Sequence, residues 1–331
     1  MREINILITA AGKRVSLIKL FKKAIIDSGN YGKVFATDIV SHAPALYHAD
    51  EYWISKNISD NDYIPNLLHL CLENSISIVI PTIDTELEKL SHARSLFSQN
   101  GIKIFISDAS VISIFSNKRN THKFFQKHEI PQPKLYELQE MQDYSPDIYP
   151  LIIKPSKGSS GEGVNIVRSY EELIFFYERT EDPIIQELIK GEEYTIDALI
   201  GIDGEVIQVI PRKRLQVRGG EVSKAMTVNN KEIINWCNRI FNFLSGARGC
   251  ITLQCFIDTE NRVKFIEVNP RFGGGFPLTA EAGGNYPLWL IQIYNNEFDQ
   301  KNFKKKWNEN LVMLRYDECI FLDKKNLIYD N

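Results

Sequence analysis

Three polar residues with complementary chemistry alternate within one short stretch of the chain. Glu267, Asn269 and Arg271 lie in FIEVNPRFGGG, whose first residues are mostly apolar and β-favouring. Because side chains alternate along a strand, all three face the same side. A carboxylate and an amide oxygen are hard ligands for Mg²⁺, and a guanidinium binds an oxyanion through two hydrogen bonds. The row predicts a site for a metal and a phosphate or carboxylate, while a solvent-facing sheet edge remains the alternative.

A third oxygen donor, Gln254, lies on the preceding strand. Residues 250–257 form an apolar run that a short turn joins to the strand of Glu267. Adjacent antiparallel strands place such residues opposite each other. We therefore expect Gln254, Glu267 and Asn269 to lie together.

A glycine-rich loop follows a strand that carries a lysine. Residues 150–167, PLIIKPSKGSSGEGVNIV, are interpreted as strand, loop and strand, with Lys154 before the loop. No helix follows, so the pattern is not that of a P-loop. Backbone N–H groups of such a loop can bind phosphates. The alternative is a plain flexible hairpin without a function, but the presence of Lys154 favours the interpretation as a phosphate-binding loop.

Two further segments have binding chemistry. Residues 188–191 connect the predicted strands 184–187 and 192–200, and this hinge, bracketed by Glu187 and Glu193, has a backbone that could contact an adenine. Residues 211–220 form a basic loop containing Arg212 and Arg214, for which a solvated charge run is the alternative.

The N-terminal part has the pattern of a doubly wound α/β sheet. Apolar runs at 4–9, 33–37, 76–80 and 103–107 alternate with helical segments, which predicts parallel strands. Ligands bind such sheets at the carboxyl ends of the strands. The polar or flexible residues predicted at those ends are Gly12, Asp38, Thr82, Asp84 and Glu86. Capping of a helix is the alternative for Asp84 and Glu86.

Composition excludes several classes. The 331 residues carry a net charge of -3 with pI near 6.1, which gives no general attraction to nucleic acid or anionic membrane. No apolar run approaches a membrane span or a signal-peptide core, so we expect a cytoplasmic protein. The five cysteines and six histidines show no disulfide or zinc spacing.

These motifs, in this order, resemble the ATP-grasp superfamily, in particular carboxylate-amine ligases similar to carbamoyl-phosphate synthase large-subunit halves, biotin carboxylase and the pyrrolysine-pathway ligase. The resemblance implies an N-terminal α/β pre-grasp domain over 1–113. It implies a two-lobed α+β ATP-grasp domain with antiparallel sheets over 114–331, with a small lobe at about 118–190 and a large lobe with a C-terminal strand at 191–331.

The resemblance also implies roles for individual residues. Lys118 and Lys154 would bind the nucleotide phosphates beneath the loop, and Glu187, Leu188 and Ile189 would contact adenine, with Glu193 at the ribose. Gln254, Glu267 and Asn269 would hold Mg²⁺, although many relatives have an acidic residue in place of Gln254. The loop residues are Ser159, Ser160, Gly161 and Gly163. The residues on the substrate side are Arg212, Arg214, Arg271, Gly273 and Gly274, and the sequence leaves open whether Arg212 or Arg214 faces the site.

The implied activity is ATP-dependent ligation. A small carboxylate would be activated as an acyl phosphate, with Lys154 and Arg271 as catalytic groups, and an amine would then displace phosphate. ATP and Mg²⁺ are the implied cofactors, small carboxylates and amines the partners, and a homodimer is left open. The alternatives are an ATP-binding module without ligase activity, in surface-polysaccharide or peptide tailoring, and a kinase-like phosphotransferase.

Overall fold

The N-terminal part of the chain is a five-stranded parallel sheet with the strand order β3-β2-β1-β4-β5. The computed structural model describes residues 1–142, 144–158, 161–300, 303 and 306–323. The elements of this part are β1 (Asn5–Ile8), α1 (Val15–Asp27), β2 (Val34–Asp38), β3 (Glu51–Ile54), α2 (Tyr63–Glu73), β4 (Ile76–Ile80), α3 (Asp84–Gln99) and β5 (Lys103–Ile104).

Helices cover both faces of this sheet. Leu17, Ile18 and Phe21 of α1 pack on one face, while α2 and α3 contribute Leu67 and Leu90 to a separate core on the other. This arrangement confirms the predicted doubly wound parallel sheet. The prediction missed β3 and α2, and it extended β5 to residue 107. β3 lies at the sheet edge and is mostly exposed, so its sequence lacks the apolar pattern of a buried strand.

A four-stranded antiparallel sheet follows, with the order β6-β9-β7-β8. One helical segment was predicted over 111–127, but the structure has two helices, because Asn117 caps a new helix by accepting hydrogen bonds from the N–H groups of Arg119 and Asn120. The elements are α4 (Ala109–Phe115), α5 (Lys118–Lys127), β6 (Leu135–Tyr136), β7 (Leu151–Pro155), β8 (Asn165–Val167), α6 (Tyr170–Tyr177) and β9 (Pro183–Glu187).

The remaining strands form a six-stranded antiparallel sheet with the order β14-β13-β10-β11-β12-β15. The elements are β10 (Gly191–Ile200), β11 (Val206–Arg218), β12 (Glu221–Thr227), α7 (Lys231–Asn242), β13 (Gly249–Asp258), β14 (Val263–Asn269), α8 (Phe276–Glu281), α9 (Tyr286–Asn295) and β15 (Val312–Leu314). Two antiparallel sheets after a parallel one confirm the predicted fold class.

The two faces of the six-stranded sheet have opposite character. The apolar side of α7, which includes Ile233 and Ile240, packs in one core with Ile196 and Leu253. On the other face the register sets Thr195 beside both Gln254 and Arg212, and Gln254 beside Glu267. The polar side chains of four strands therefore line one surface.

One prediction about this region was wrong. The basic segment 211–220 is mostly part of β11 rather than a loop, because it pairs with β10 on one side and with β12 on the other. Glu193 lies in β10, as predicted, and the connecting hinge spans residues 188–190. The last strand, β15, ends at Leu314, where pairing with β12 stops.

Candidate functional site

The predicted metal row, which consists of Gln254, Glu267 and Asn269, lies on two paired strands, as the alternation of side chains predicted. Gln254 on β13 stands opposite Glu267 on β14, and Thr252 stands opposite Asn269. The turn between these strands is fixed by Asp258, whose Oδ1 accepts hydrogen bonds from the N–H groups of Glu260 and Arg262, both at 2.9 Å. A tight turn sets the strand register and thereby brings Gln254 and Glu267 together.

The donor set suits Mg²⁺. Glu267 supplies one carboxylate, and Gln254 and Asn269 supply amide oxygens, all hard ligands. Among the described residues, no three His, Cys, Asp or Glu side chains form a metal-binding group, so a metal here would depend on the amides and on ligand oxygens. Mg²⁺ is commonly held by one or two carboxylates together with substrate phosphates and waters. The three residues therefore fit this ion.

Two lysines from different elements face Glu267. Lys118 begins α5 and Lys154 lies buried on β7. Burial, together with the charge of Lys118, lowers the pKa of Lys154 to about 8, and Glu267 opposes the shift. Burial also lowers the pKa of Lys118, again against an opposing effect of Glu267. Two buried lysines, one of which also lowers the pKa of the other, form a site that favours an added anion such as phosphate.

The glycine loop begins beside Lys118. Lys118 Nζ donates a hydrogen bond to the Gly158 carbonyl oxygen at 2.9 Å, and its backbone N–H donates to the Ser156 carbonyl at 2.8 Å. Gly161 and Gly163 have φ angles of 74° and 71°, which residues with a Cβ rarely adopt. The predicted Ser159 and Ser160 lie outside the described residues.

Arg214 bridges the predicted ribose and metal residues. Its Nη1 donates to Glu193 Oε1 at 2.8 Å and to Gln254 Oε1 at 3.2 Å. Burial raises the pKa of Glu193, while Arg214 lowers it. Arg214 thus faces the site and links two strands that carry predicted ligands.

The predicted adenine segment has a structural role in its first residue. Glu187 accepts a hydrogen bond from Lys264 Nζ at 2.6 Å and from the Lys134 N–H at 3.1 Å. Ile189 is buried and Leu188 is partly buried. The side chain of Glu187 therefore joins β9 to β14, while residues 188–190 form the connection between the two sheets.

Arg271 contacts the N-terminal domain. Its Nε and Nη2 donate to Asp84 Oδ2 at 3.0 and 2.6 Å. Asp84 begins α3, directly beyond the carboxyl end of β4. Arg14 lies close by and donates to the Thr82 carbonyl oxygen at 2.9 Å, and burial together with the charge of Arg271 lowers its pKa to about 10. Two arginines and one carboxylate therefore meet where the parallel sheet faces the metal row.

Arg212 does not face the site as a free group, contrary to its predicted substrate role. Its side chain is fully buried, and Nε and Nη2 donate to Asp197 Oδ2 at 3.1 and 2.8 Å. Asp197 Oδ2 also accepts from the Thr279 hydroxyl at 2.6 Å. Because burial of a charge requires a close partner, we assign Arg212 a structural role, and the substrate role of Arg214 stays a prediction.

The buried pair lies directly beneath the glycines that follow Arg271. A Cβ on Gly275 would lie 2.3 Å from Arg212 Nη1, and one on Gly273 would lie 2.9 Å from the Thr252 hydroxyl oxygen. The Thr252 hydroxyl is 3.0 Å from the Arg271 carbonyl oxygen and 3.1 Å from Asp197 Oδ1, and it donates to one of them at a time. Gly274 has more space, with Glu221 3.5 Å away. The glycines therefore allow the chain after Arg271 to approach this network.

Sequence reasoning gave no role to Asp197 in this site, and it placed Asp84 at the strand ends where ligands bind without pairing it with Arg271. The position of Asp84 at the end of a parallel strand was a usable signal. Nothing in the sequence pairs Asp197 with Arg212, because they meet only through the register of β10 and β11.

Comparisons with known proteins agree with these motifs. Residues 6–105 match the family described as PylC-like, N-terminal domain, and residues 115–275 match the family described as ATP-grasp domain. The matches confirm the resemblance seen in the sequence.

Individual relatives are distant. Carbamoyl-phosphate synthase of Methanobrevibacter smithii is 20% identical over 255 residues, covering 72% of this chain and 69% of the relative. Formate-dependent phosphoribosylglycinamide formyltransferase of Prochlorococcus marinus is 27% identical over 287 residues, covering 78% and 70%.

A solved structure has the same fold. The biotin carboxylase domain dimer of Hydrogenobacter thermophilus 2-oxoglutarate carboxylase, in complex with MgADP, ADP and bicarbonate, aligns with a TM-score of 0.73 at 18% identity. The alignment covers 93% of this chain and 73% of that one. Among the helices of the described residues, none is both long and apolar enough to cross a membrane.

Proposed function

Because the chain belongs to the ATP-grasp superfamily, we propose that it is an ATP-dependent ligase that joins a small carboxylate to an amine and releases ADP and phosphate. One observation carries the proposal. Glu267 influences the pKa of both Lys118 and Lys154, so a metal ligand and two phosphate-binding cations meet at one point although they come from three separate segments. A phosphorylated nucleotide with its metal satisfies this combination of charges.

Different residues would bind the phosphates, the nucleoside and the metal. Lys118, Lys154 and the loop around Gly161 and Gly163 would bind the phosphates, and residues 187–189 with Glu193 would bind the nucleoside. Gln254, Glu267 and Asn269 would hold Mg²⁺, which when bound supplies Lewis-acid stabilisation of phosphate charge.

The residues beyond the metal row would bind the acceptor substrate. Arg271 would neutralise the reacting carboxylate, and Arg214 would contact the substrate once it leaves Gln254. Gly273 and Gly274 would allow close approach of the substrate to the backbone. The reaction class is phosphoryl transfer to the carboxylate followed by attack of the amine on the acyl phosphate.

We also propose the domain division at residues 113 and 114. The boundary falls inside α4, and the two family matches end at 105 and begin at 115, which supports a division within that stretch. The enzyme is placed in the cytoplasm, where ATP is available. The homodimer remains a proposal that a measurement of mass in solution would test.

The test is ADP release in the presence of panels of small carboxylates and amines. We expect turnover only when one of each is present, and we expect Lys154→Ala and Glu267→Ala to abolish it. Lys123→Ala, an exposed lysine on α5, is the matched control and should retain activity. A phosphorylated acid that accumulates without any amine would indicate a kinase instead. Nucleotide binding without any turnover would indicate a binding module.

A further inference from the structure

A cavity of about 400 Å³ shares no residue with the site described above. It lies where the parallel sheet meets the six-stranded sheet, between α3 and β5 on one side and the ends of β10 and β13 on the other. The two sides are hydrogen-bonded nearby, because the Asp108 N–H donates to the Gly246 carbonyl at 2.9 Å and the Arg248 N–H donates to the Ser107 hydroxyl at 3.1 Å. The cavity therefore opens at the junction of the two domains.

Three cations from three elements line this cavity. Arg94 is on α3, Lys103 is on β5, and Arg248 directly precedes β13. Asp108 forms ion pairs with Arg94 and, at 3.5 Å, with Arg248. A second carboxylate, Glu205, packs against Gly201 at the edge of the cavity. The cations thus outnumber the carboxylates.

Lys103 is the cation of this cavity that has no carboxylate partner among the described residues. Within the described part of the chain, no carboxylate forms an ion pair with it. Burial lowers its pKa, and the charges of Arg248 and Arg94 lower it further. Arg248 Nε is buried and has no hydrogen-bond partner among the described residues. An anion in the cavity would provide the missing counter-charge and the missing acceptor.

The rest of the lining suggests the size and chemistry of a ligand. Ser95, Ser98 and Gln99 add hydrogen-bonding groups on the α3 side. Ile102, Ile104 and Ile202 supply apolar surface. The volume is in the range of small-molecule sites, about 300–1,000 Å³. The lining suits a compact molecule with an anionic head and a short apolar body.

We propose that this cavity binds a small dianion, with a phosphate or dicarboxylate head held by Lys103 and Arg248, and that the bound ligand braces the two domains against each other. The location supports the second part. α3 begins with Asp84, the partner of Arg271, and carries Arg94 ten positions later, about 15 Å along the helix. Ile200 and Gly249 are paired at the cavity end of β10 and β13, the strands that carry Glu193 and Gln254.

The test measures the midpoint temperature of thermal unfolding with inorganic phosphate and, separately, with succinate, each against KCl at equal ionic strength. The Lys154→Ala background weakens phosphate binding at the proposed nucleotide site. There we expect a saturable rise in the midpoint temperature of roughly 1–3 °C with at least one of the two anions.

Adding Lys103→Ala should abolish the rise, whereas adding Lys23→Ala, an exposed lysine on α1, should leave it unchanged. Lys103→Gln, which keeps the length of the side chain, replaces Lys103→Ala if that variant does not fold. A rise that is unchanged in the Lys103 variants overturns the proposal. So does the lack of any rise with both anions. Neither result bears on the ligase activity, because the readout involves no turnover.

Discussion

Arg271 and Asp84 form an ion pair across the domain junction, with Nη2 and Nε of Arg271 2.6 and 3.0 Å from the same oxygen, Asp84 Oδ2. The contact joins residues 187 positions apart in the sequence. A guanidinium that already lies against one carboxylate is oriented for a second through its remaining N–H groups, since among the described residues Nη1 donates only to the Phe272 carbonyl, at 3.2 Å.

We expect Arg271→Ala to lower kcat by about 10²–10³-fold, because it removes a donor that stabilises the charge of the reacting carboxylate. Arg271→Lys should recover little, because an ammonium cannot reproduce the two-pronged contact. Steady-state kinetics of ADP release measures both. Arg262→Ala, on the exposed turn between β13 and β14, is the matched control. Equal activity of the Arg271→Ala and control variants would exclude a catalytic role.

Asp84→Asn tests whether Asp84 positions Arg271. We expect a smaller loss than for Arg271→Ala, and we expect the two changes to be non-additive when combined, since contacting residues couple by about 0.5–3 kcal/mol. A double-mutant cycle on kcat/KM provides the coupling. Additive effects would mean that Asp84 acts independently of Arg271.

Glu267→Gln should weaken metal binding, because it removes the one carboxylate from the ligand set. We expect an affinity for Mn²⁺ in the presence of ADP that is lower by about tenfold or more, which calorimetric titration would measure. Glu260→Gln, on the exposed turn of the same hairpin, serves as control. An unchanged Mn²⁺ affinity in Glu267→Gln would remove this row from the metal site.

The lowered pKa of Lys154 predicts that nucleotide affinity depends on pH. Its pKa of about 8 in the free protein should rise when phosphate binds, because an anion favours the charged lysine. Affinity for ADP should therefore be constant below pH 8 and should decrease as the pH rises above 8, where binding requires uptake of a proton. Calorimetry in buffers of different ionisation enthalpy would detect that proton. Lys154→Ala should bind more weakly and lose this dependence on pH, and its persistence there would assign the titration to another group.

Substitution of Arg212 should mainly lower stability, whereas substitution of Arg214 should mainly weaken substrate binding. Arg212→Met leaves Asp197 buried without its cation and should lower the free energy of unfolding by about 3–5 kcal/mol, as urea unfolding would show. Arg214→Met leaves Glu193 partly exposed, and we expect a change of about 1 kcal/mol or less, together with a raised KM for the acceptor substrate. If Arg214→Met were the more destabilising of the two, the structural and substrate roles would have to be exchanged.

The sequence was sufficient for features that depend on local spacing. Alternation placed Glu267 and Asn269 on one face, and the short turn placed Gln254 opposite Glu267. Features set by long-range pairing could not be inferred. Whether Arg212 or Arg214 is buried depends on which one meets Asp197, and this follows from strand register and from the packing of Thr279. The contact of Arg271 with Asp84 depends on how the domains meet.

The bridge from Arg214 to Glu193 and Gln254 has a consequence for ligand selectivity. A nucleoside would compete for Glu193 but bring no metal to Gln254, and Mg²⁺-pyrophosphate would do the reverse. Either ligand would leave one half of the bridge in place and oppose the movement that the other half requires. We expect adenosine alone and pyrophosphate alone to bind poorly, because each must act against the half of the bridge that remains. The protein would thus bind a nucleotide, which displaces both halves of the bridge, more tightly than it binds either part alone.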